Sequence, residues 1–420
     1  MIFCRLIQPE IFCTVWKRGR SLLEEKNTED SFETDKMMRR FHKSCMNKTE
    51  IEISGVKPLL NSLQETGGWP VLGKESYEDF KWYERTISAW KAGFVLYPIL
   101  NLGFIPDFKN NSYQVLTFDQ PQLGLERQFL IQGLEHNFVK AYYEYMVDSA
   151  LLLGAEEAKA RKELKESLMF EILLANISTA LEERRDENLL YNPHILKEFD
   201  EPPHKVNEPA HPISWQKFLQ QLITIALDYT DIPGAKKITI EDNERVILRD
   251  PSYFKKMGKV LVDTDPKVIA NYMGWREVKS KIWHLNDAAK GIIQKFVKAL
   301  SGKITRDPLW KDCVLDLGFQ VKGGVETMAA AAGSLYVRTY FKPEVKERMQ
   351  EMVSYIRNSF ENNLRNIDWM DDNTKAEAIK KIEKMEEYIG YPNEMLSKEK
   401  VDDLHKGLYF LRLCATLIRF

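Results

Sequence analysis

Residues 44–49, SCMNKT, place Cys45 two positions ahead of Asn47, which opens an N-x-S/T sequon. In a chain with five cysteines, Cys45 can be a buried thiol, a nucleophile or one half of a disulfide. His42 stands three residues before it, too little by itself to make a metal site. Hydrolytic zinc chemistry asks for two histidines brought together by helical spacing, a third ligand and a glutamate base. The seven histidines, His42, His136, His194, His204, His211, His284 and His405, form neither HExxH nor HxxEH, and His204 and His211 lie seven apart among prolines. Serine catalysis lacks its GxSxG elbow. GWPVLGKE, residues 68–75, has the glycine and lysine spacing of a phosphate-binding loop, but Pro70 removes a backbone donor and Glu75 stands where the magnesium-binding hydroxyl belongs. Its upstream neighbour, VKPLLNSLQETG, reads as helix rather than strand. Asp371 and Asp372 read as favourable charge at a helix start, and Tyr142, Tyr143 and Tyr145 as helix-face packing. These patterns assign no catalytic, cofactor-binding or metal-ligating residue within the chain.

The elements that carry these residues are mostly helical. From Pro343, the side chains Val345, Met349, Met352, Ile356, Phe360 and Leu364 recur at spacings of three and four, with proline in the first turn. A second helix is expected just after it, with caps at Asn373 and Thr374, a stripe of Ala376, Ile379, Ile382 and Met385, and a stop at Gly390. Further helices are expected over 137–153, 155–185, 214–227, 251–261, 266–273 and 278–300, with Asp250 and Asp265 capping before their prolines. YQVLTF, 113–118, predicts one strand of a hairpin, and KITI with RVIL, around 237–248, predicts a second small pair. The proline-rich YNPHILKEFDEPPHKVNEPAHP between them reads as a long irregular connection. The fold class is therefore mainly α, with one or two small β-hairpins.

Composition bounds the rest. A chain of 420 residues, 44% hydrophobic and 11% aromatic, has material for two or three domains. Its 60 Lys and Arg nearly cancel its 62 Asp and Glu without long blocks of either sign, which excludes the electrostatic footprint of a nucleic-acid binder. The longest apolar stretch, AGFVLYPILNLGFIP at 92–106, holds two prolines and falls short of the roughly 20 residues a bilayer span needs, so it reads as core. MIFCRLIQPEIFCTVW at the start carries Arg5, Pro9 and Glu10 and lacks the basic start, clean apolar run and cleavage site of a signal peptide. Neither an export signal nor a membrane anchor is expected from these residues.

Several passages together resemble one family. They are FHKSCMNKTEIEISGVKPLL, the GGWP at 67–70, VLTFDQPQLGLERQFL, ERRDENLLYNPHIL, SWQKFL, VILRDPSYFKKM, VIANYMGWREV, AAAGSLYVRTYF and IDWMDDNTKAEAIKKIEKMEEYIGYP. In order and spacing, from about Phe41 to Tyr391, they resemble the neprilysin and endothelin-converting-enzyme zinc metallopeptidases, peptidase family M13. In that family the HExxH helix, the third glutamate ligand, the asparagine-alanine substrate clamp and the catalytic histidine and aspartate follow the segment that ends here in IGYP. The resemblance therefore implies zinc and hydrolysis of extracellular peptides for full-length members, and no peptidase activity for this chain alone.

The same resemblance implies an architecture. Family ectodomains are two mostly helical lobes around a cavity, one holding zinc and the other acting as a lid that limits substrate size. Residues 41–187 and 278–395 correspond to the lid, and 188–277 to an insertion that packs on the zinc lobe. The ends, 1–40 and 396–420, depart from the pattern, so the chain reads as a piece of a longer gene product or as a short isoform. With the zinc lobe missing, Trp215, Phe218, Leu219, Leu222, Tyr272 and Trp275 are expected to expose part of their apolar surface.

Family members bridge the cysteine of the SCMN stretch to one in a WxxC context, which Trp310 to Cys313 supplies, so the implied disulfide is Cys45 to Cys313. Closing a loop this long is worth on the order of 5 kcal/mol at most, and belongs to an oxidising compartment. Asn47, Asn110 and Asn176 each open a sequon, as fits an extracellular glycoprotein, while Cys4, Cys13 and Cys414 receive no partner. Expected partners are peptides and a full-length relative, with membrane contact only through an anchor outside these residues. Two other readings stand beside this one: a secreted, non-catalytic binding module, and a cytosolic helical scaffold with five reduced thiols.

Overall fold

The computed structural model describes residues 9–73, 77–93, 97–200, 214–228, 238–319 and 328–405, with side chains from residue 14 onward. Cys4, Lys74, Glu75, His204, His211 and Cys414, and the side chain of Cys13, lie outside them. In chain order the first helices are α1 (Pro9–Glu24), α2 (Glu33–Cys45), α3 (Lys48–Ser54), α4 (Lys57–Glu65), α5 (Trp82–Lys91) and α6 (Arg127–Leu130). Next come α7 (Asn137–Leu152), α8 (Glu157–Ile177), α9 (Trp215–Asp228), α10 (Pro251–Val262), α11 (Pro266–Lys281) and α12 (Asp287–Ser301). The last are α13 (Leu309–Val314), α14 (Ala329–Tyr340), α15 (Pro343–Asn366), α16 (Asp372–Glu383) and α17 (Lys398–Leu404). The mainly α expectation holds, with one four-stranded sheet among the described residues.

The chain divides into two compact units, Met1–Met46 with Asp307–Tyr409, and a second whose described part lies within Asn47–Arg306. These divisions differ from the family-derived segment boundaries given above. In the second unit the strands β1 (Asn101–Pro106), β2 (Gln114–Asp119), β3 (Asn192–Ile195) and β4 (Arg245–Leu248) form a sheet in the order β1-β2-β4-β3. The hairpin β1-β2 pairs Phe104 with Leu116, as YQVLTF predicted. RVIL is a strand too, but it runs parallel to β2 and antiparallel to β3, and KITI is not its partner. The proline-rich stretch thus supplies a strand, NPHI, whose Pro193 is tolerated because β3 is an edge and a missing N–H there costs little.

One face of the sheet lies against α9 and α10. Phe118 meets Trp215 at 5.4 Å between ring centres and Phe199 at 5.1 Å, while Phe199 meets Phe254 at 4.8 Å. Trp215, Phe218, Leu219, Leu222, Tyr272 and Trp275, expected to be partly exposed, are all buried, none above 3%. The reason is local: Trp82 of α5 and the sheet cover α9, and Trp69, Tyr142 and Tyr145 enclose Trp275.

α11 runs unbroken through 274–277, where a gap between two helices was expected. Gly274 is the point at which the Trp69 indole lies directly on the helix backbone, and a Cβ there would overlap the ring. The true break follows Ile282–His284, where Asn286 accepts from the N–H of Ala289 and starts α12. α8 stops at Ile177, short of the expected 185, because the Gln120 side chain takes both the N–H and the carbonyl of Thr179. Asp250 and Asp265 cap as expected, accepting from Tyr253 N and Lys267 N.

In the first unit, α1, α2, α13, α14 and α17 enclose Leu22, Leu23, Met37, Met38, Val314, Leu335 and Val401. Asp402 accepts the N–H groups of Glu33 and Thr34 at the start of α2, and Arg338 forks onto Asp35 at 2.7 and 3.0 Å. α16 is capped by Asp371, not by Asn373 or Thr374: its carboxylate accepts Thr374 N at 2.9 Å. The helix ends at Glu383, and Gly390 turns the chain later with φ 74°.

Two glycine substitutions separate these effects. Gly274→Ala should destabilise the chain by about 1–3 kcal/mol, the cost of overpacking against Trp69. Gly291→Ala, in α12 with open space at its Cβ, should stabilise it by about 0.5–1 kcal/mol. Urea unfolding of each variant measures both, and equal midpoints would remove the argument.

Candidate functional site

The sequence-predicted residues fall into two kinds of place. Cys45 is the last residue of α2 and Cys313 is fully buried in α13; they form a disulfide with Cα atoms 5.8 Å apart and a sequence separation of 268. Cys45 is therefore no free nucleophile. One turn earlier His42 is buried, and its Nε2 has no hydrogen-bond partner. Burial lowers its pKa below the usual 6.5; Glu24 opposes the shift and Arg20 adds to it. The group is thus held neutral in the fold rather than poised as an acid.

The three sequon asparagines stand apart from one another in sequence, Asn47 just two residues after Cys45. Asn47 caps α3 by accepting from Glu50 N, Asn110 sits in the β1-β2 turn accepting from Ser112 N, and Asn176 lies in the last turn of α8. All three are exposed.

The buried polar residues of the second unit went unassigned in the sequence. α11 is their centre. Asn271 takes the Trp69 indole N–H on its carbonyl at 3.0 Å and the Val71 N–H on its side chain at 2.9 Å, and donates to Glu163 at 3.0 Å. Trp275 donates to the Tyr142 hydroxyl at 2.6 Å. Glu277 accepts from Thr66 at 2.7 Å and pairs with Lys281 at 2.6 Å and Arg85 at 3.5 Å. Glu171 of α8 accepts the N–H of Gly124 and faces Arg276 at 3.8 Å. A further network joins Asp119, Arg184, Arg249, Asp250 and Glu187, with Arg184 forked onto Asp119 at 2.7 Å.

Some of these groups have the shifted pKa values that mark active sites. Burial raises Glu171, and lowers Lys281 to about 8 against the opposing pull of Glu277. Yet Glu171 and Glu277 are sealed from solvent, at 0% and 2% exposure, so a substrate has no approach to them. Their work is to hold segments together. The signal for them was legible in principle: charged residues inside the otherwise apolar VIANYMGWREV have to be paired once that segment is buried.

Among the described residues, no group of three or more His, Cys, Asp or Glu side chains is placed to hold a metal ion. None of the described helices is long and apolar enough to cross a membrane.

What the networks join are the passages that carried the resemblance: GGWP to VIANYMGWREV, VLTFDQPQLGL to ERRDENLL, and both to VILRDP. The model of Peptidase family M13 matches residues 14–392. The chain belongs to peptidase family M13. This M13 chain is 34% identical to Neprilysin-2 of Drosophila melanogaster over 369 residues, 86% of its own length and 45% of that protein's. It is 29% identical to Endothelin-converting enzyme 1 of Rattus norvegicus over 402 residues, 93% of its length and 48% of the relative's. It thus spans about half the length of these relatives. Solved structures with the same fold include PepO of Lactobacillus rhamnosis HN001, at TM-score 0.69 and 15% identity, covering 97% of this chain and 59% of that one. The inhibitor complex of the zinc metalloprotease Zmp1 of Mycobacterium tuberculosis matches at TM-score 0.68 and 17% identity, with 97% and 59% covered.

The M13 match also reaches into the amino-terminal segment. It begins at residue 14, and α1 and α2 supply Leu22, Leu23, Met37 and Met38 to their unit's core.

Two measurements probe these interiors. Glu277→Gln strands buried Arg85 and should cost about 3–5 kcal/mol in urea unfolding; a loss under about 1 kcal/mol would show that the pair carries little. For His42, the unfolded chain binds the proton more readily than the fold, so stability is complete above the ordinary pKa near 6.5 and falls as pH drops below it. The melting temperature should be lower at pH 5.5 than at 7.5, and His42→Gln should shrink that difference; an unchanged difference would assign the acid sensitivity elsewhere.

Proposed function

We propose that this chain is the N-terminal, non-catalytic part of a neprilysin-like M13 zinc metalloendopeptidase that cleaves extracellular peptides. The observation that carries the reading is the M13 match over residues 14–392 in a chain spanning about half the length of its neprilysin and endothelin-converting-enzyme relatives. The chain's own part is to wall the chamber that receives peptides and to limit their size, as a rigid scaffold pinned by buried networks can. Zinc, when bound by the rest of such a peptidase, polarises the scissile carbonyl and activates water. Support for an extracellular setting comes from the Cys45–Cys313 disulfide, which belongs to oxidising compartments, and from three exposed sequons.

A chimera tests it. Residues 14–392 of this chain replace the matched segment of Drosophila Neprilysin-2, and the product is expressed in a secreting cell. The chimera should be secreted and should cleave a short peptide but not a folded protein, with cleavage abolished by a zinc chelator, while the 420-residue chain alone cleaves neither. A secreted, folded chimera without activity would overturn the assignment and favour the non-catalytic binding module. Cleavage of folded proteins at the same rate would remove the size-limiting role.

A further inference from the structure

α15 is 24 residues long and contributes little to its own unit. Of its apolar stripe only Leu364 is buried; Val345, Met349, Met352, Ile356 and Phe360 are 41–61% exposed. None of them belongs to the core that α1, α2, α13, α14 and α17 close. The helix is instead tethered by polar bonds on one flank. Lys346 donates to the Tyr391 carbonyl at 2.8 Å, Arg357 donates to the Met385 carbonyl at 2.9 Å, and Arg357 also pairs with Glu387 at 3.0 Å. Trp369 and Met385 add further exposed apolar surface beside it in the chain. A long amphipathic helix draws its stability from packing its apolar face, so a face left open on this scale marks a missing partner.

Two observations say what covers it. The three sequons all fall in the second unit, so the unit that carries α15 has no site for a bulky, solvating glycan. The relatives carry more than half their length outside the matched segment, which is ample chain to bury a stripe about 22 Å long. We infer that the apolar face of α15 is the docking surface for the C-terminal half of an M13 peptidase, which packs an apolar segment along Val345, Met349, Met352, Ile356 and Phe360. This rests on the proposed function, and gives it a physical joint: the face holds the catalytic half against the described one.

Methionine oxidation by dilute peroxide reads the joint directly, because exposed thioethers become sulfoxides and covered ones do not. In the 420-residue chain alone, Met349 and Met352 should oxidise as fast as Met169, which is 51% exposed on α8 and serves as the control. In the Neprilysin-2 chimera they should oxidise roughly tenfold more slowly while Met169 does not change. The pair Met352→Glu and Ile356→Glu should leave the unfolding midpoint of the chain alone where it was and cut the yield of secreted chimera roughly tenfold. If the chimera is retained in the cell, the same labelling is done on the full chain co-expressed with the unmatched half of Neprilysin-2.

Equal oxidation of the three methionines in the chimera or the co-expressed pair would overturn the inference. So would protection of Met349 and Met352 in the chain alone together with a dimer mass by light scattering, which would make a second copy the occupant. Protected methionines in a chimera that cannot cleave peptide would uphold the joint and sink the proposed function. An active chimera with both methionines open would do the reverse.

Discussion

A helix buried on every side cannot keep a polar side chain without a partner, and α11 is such a helix. Asn271, Trp275 and Glu277 sit away from water and Arg276 mostly so, where an unmatched donor or charge would cost several kcal/mol. Each is matched, and each match reaches a different segment: the turn at 69–71, α5, α7 and α8. The second unit is arranged around this requirement. Its apolar cores supply most of the driving force, but it is the pairing of a few enclosed polar groups that decides which segment lies where.

This bears on how family motifs are to be read. GGWP, FDQP, ERRDENLL, LRDP and MGWRE are the parts of the chain by which its membership is recognised, and in the structure they meet one another. Gly274 is glycine because the Trp69 ring lies on its backbone, and Gly124 because Tyr142 and Glu171 crowd the place a side chain would take. The motifs encode an assembly of pins.

What was legible in the sequence followed from local physics. Proline after Asp250 and Asp265 marked two helix starts, and the period of three and four from Pro343 marked α15. What was not legible depended on tertiary neighbours. β3 was hidden by its proline, which only the position at a sheet edge permits, and α11 was split on paper because Gly274 looks like a stop when the indole that requires it is about 200 residues away. The burial of α9 escaped for the same reason: Trp215 and Phe218 looked like one half of an interface, but Phe118, Phe199 and Trp82 of the same unit already cover them. The exposed stripe was instead on α15, where amphipathic spacing alone says that a face exists and not whether the chain in hand covers it. The disulfide came from resemblance, since spacing cannot pair five cysteines.

The bond between Cys45 and Cys313 has a consequence in time as well as in space. At ordinary rates of synthesis the sequence separation of 268 takes roughly 15–50 s to emerge. Throughout that interval α1 and α2 lack the helices that complete their core, and Cys45 lacks the partner it holds in the fold. The core that α1 and α2 share with α13 and α14 can therefore close only after a long stretch of the second unit has been made, and the bond that fixes it comes later still than either helix it joins needs to form.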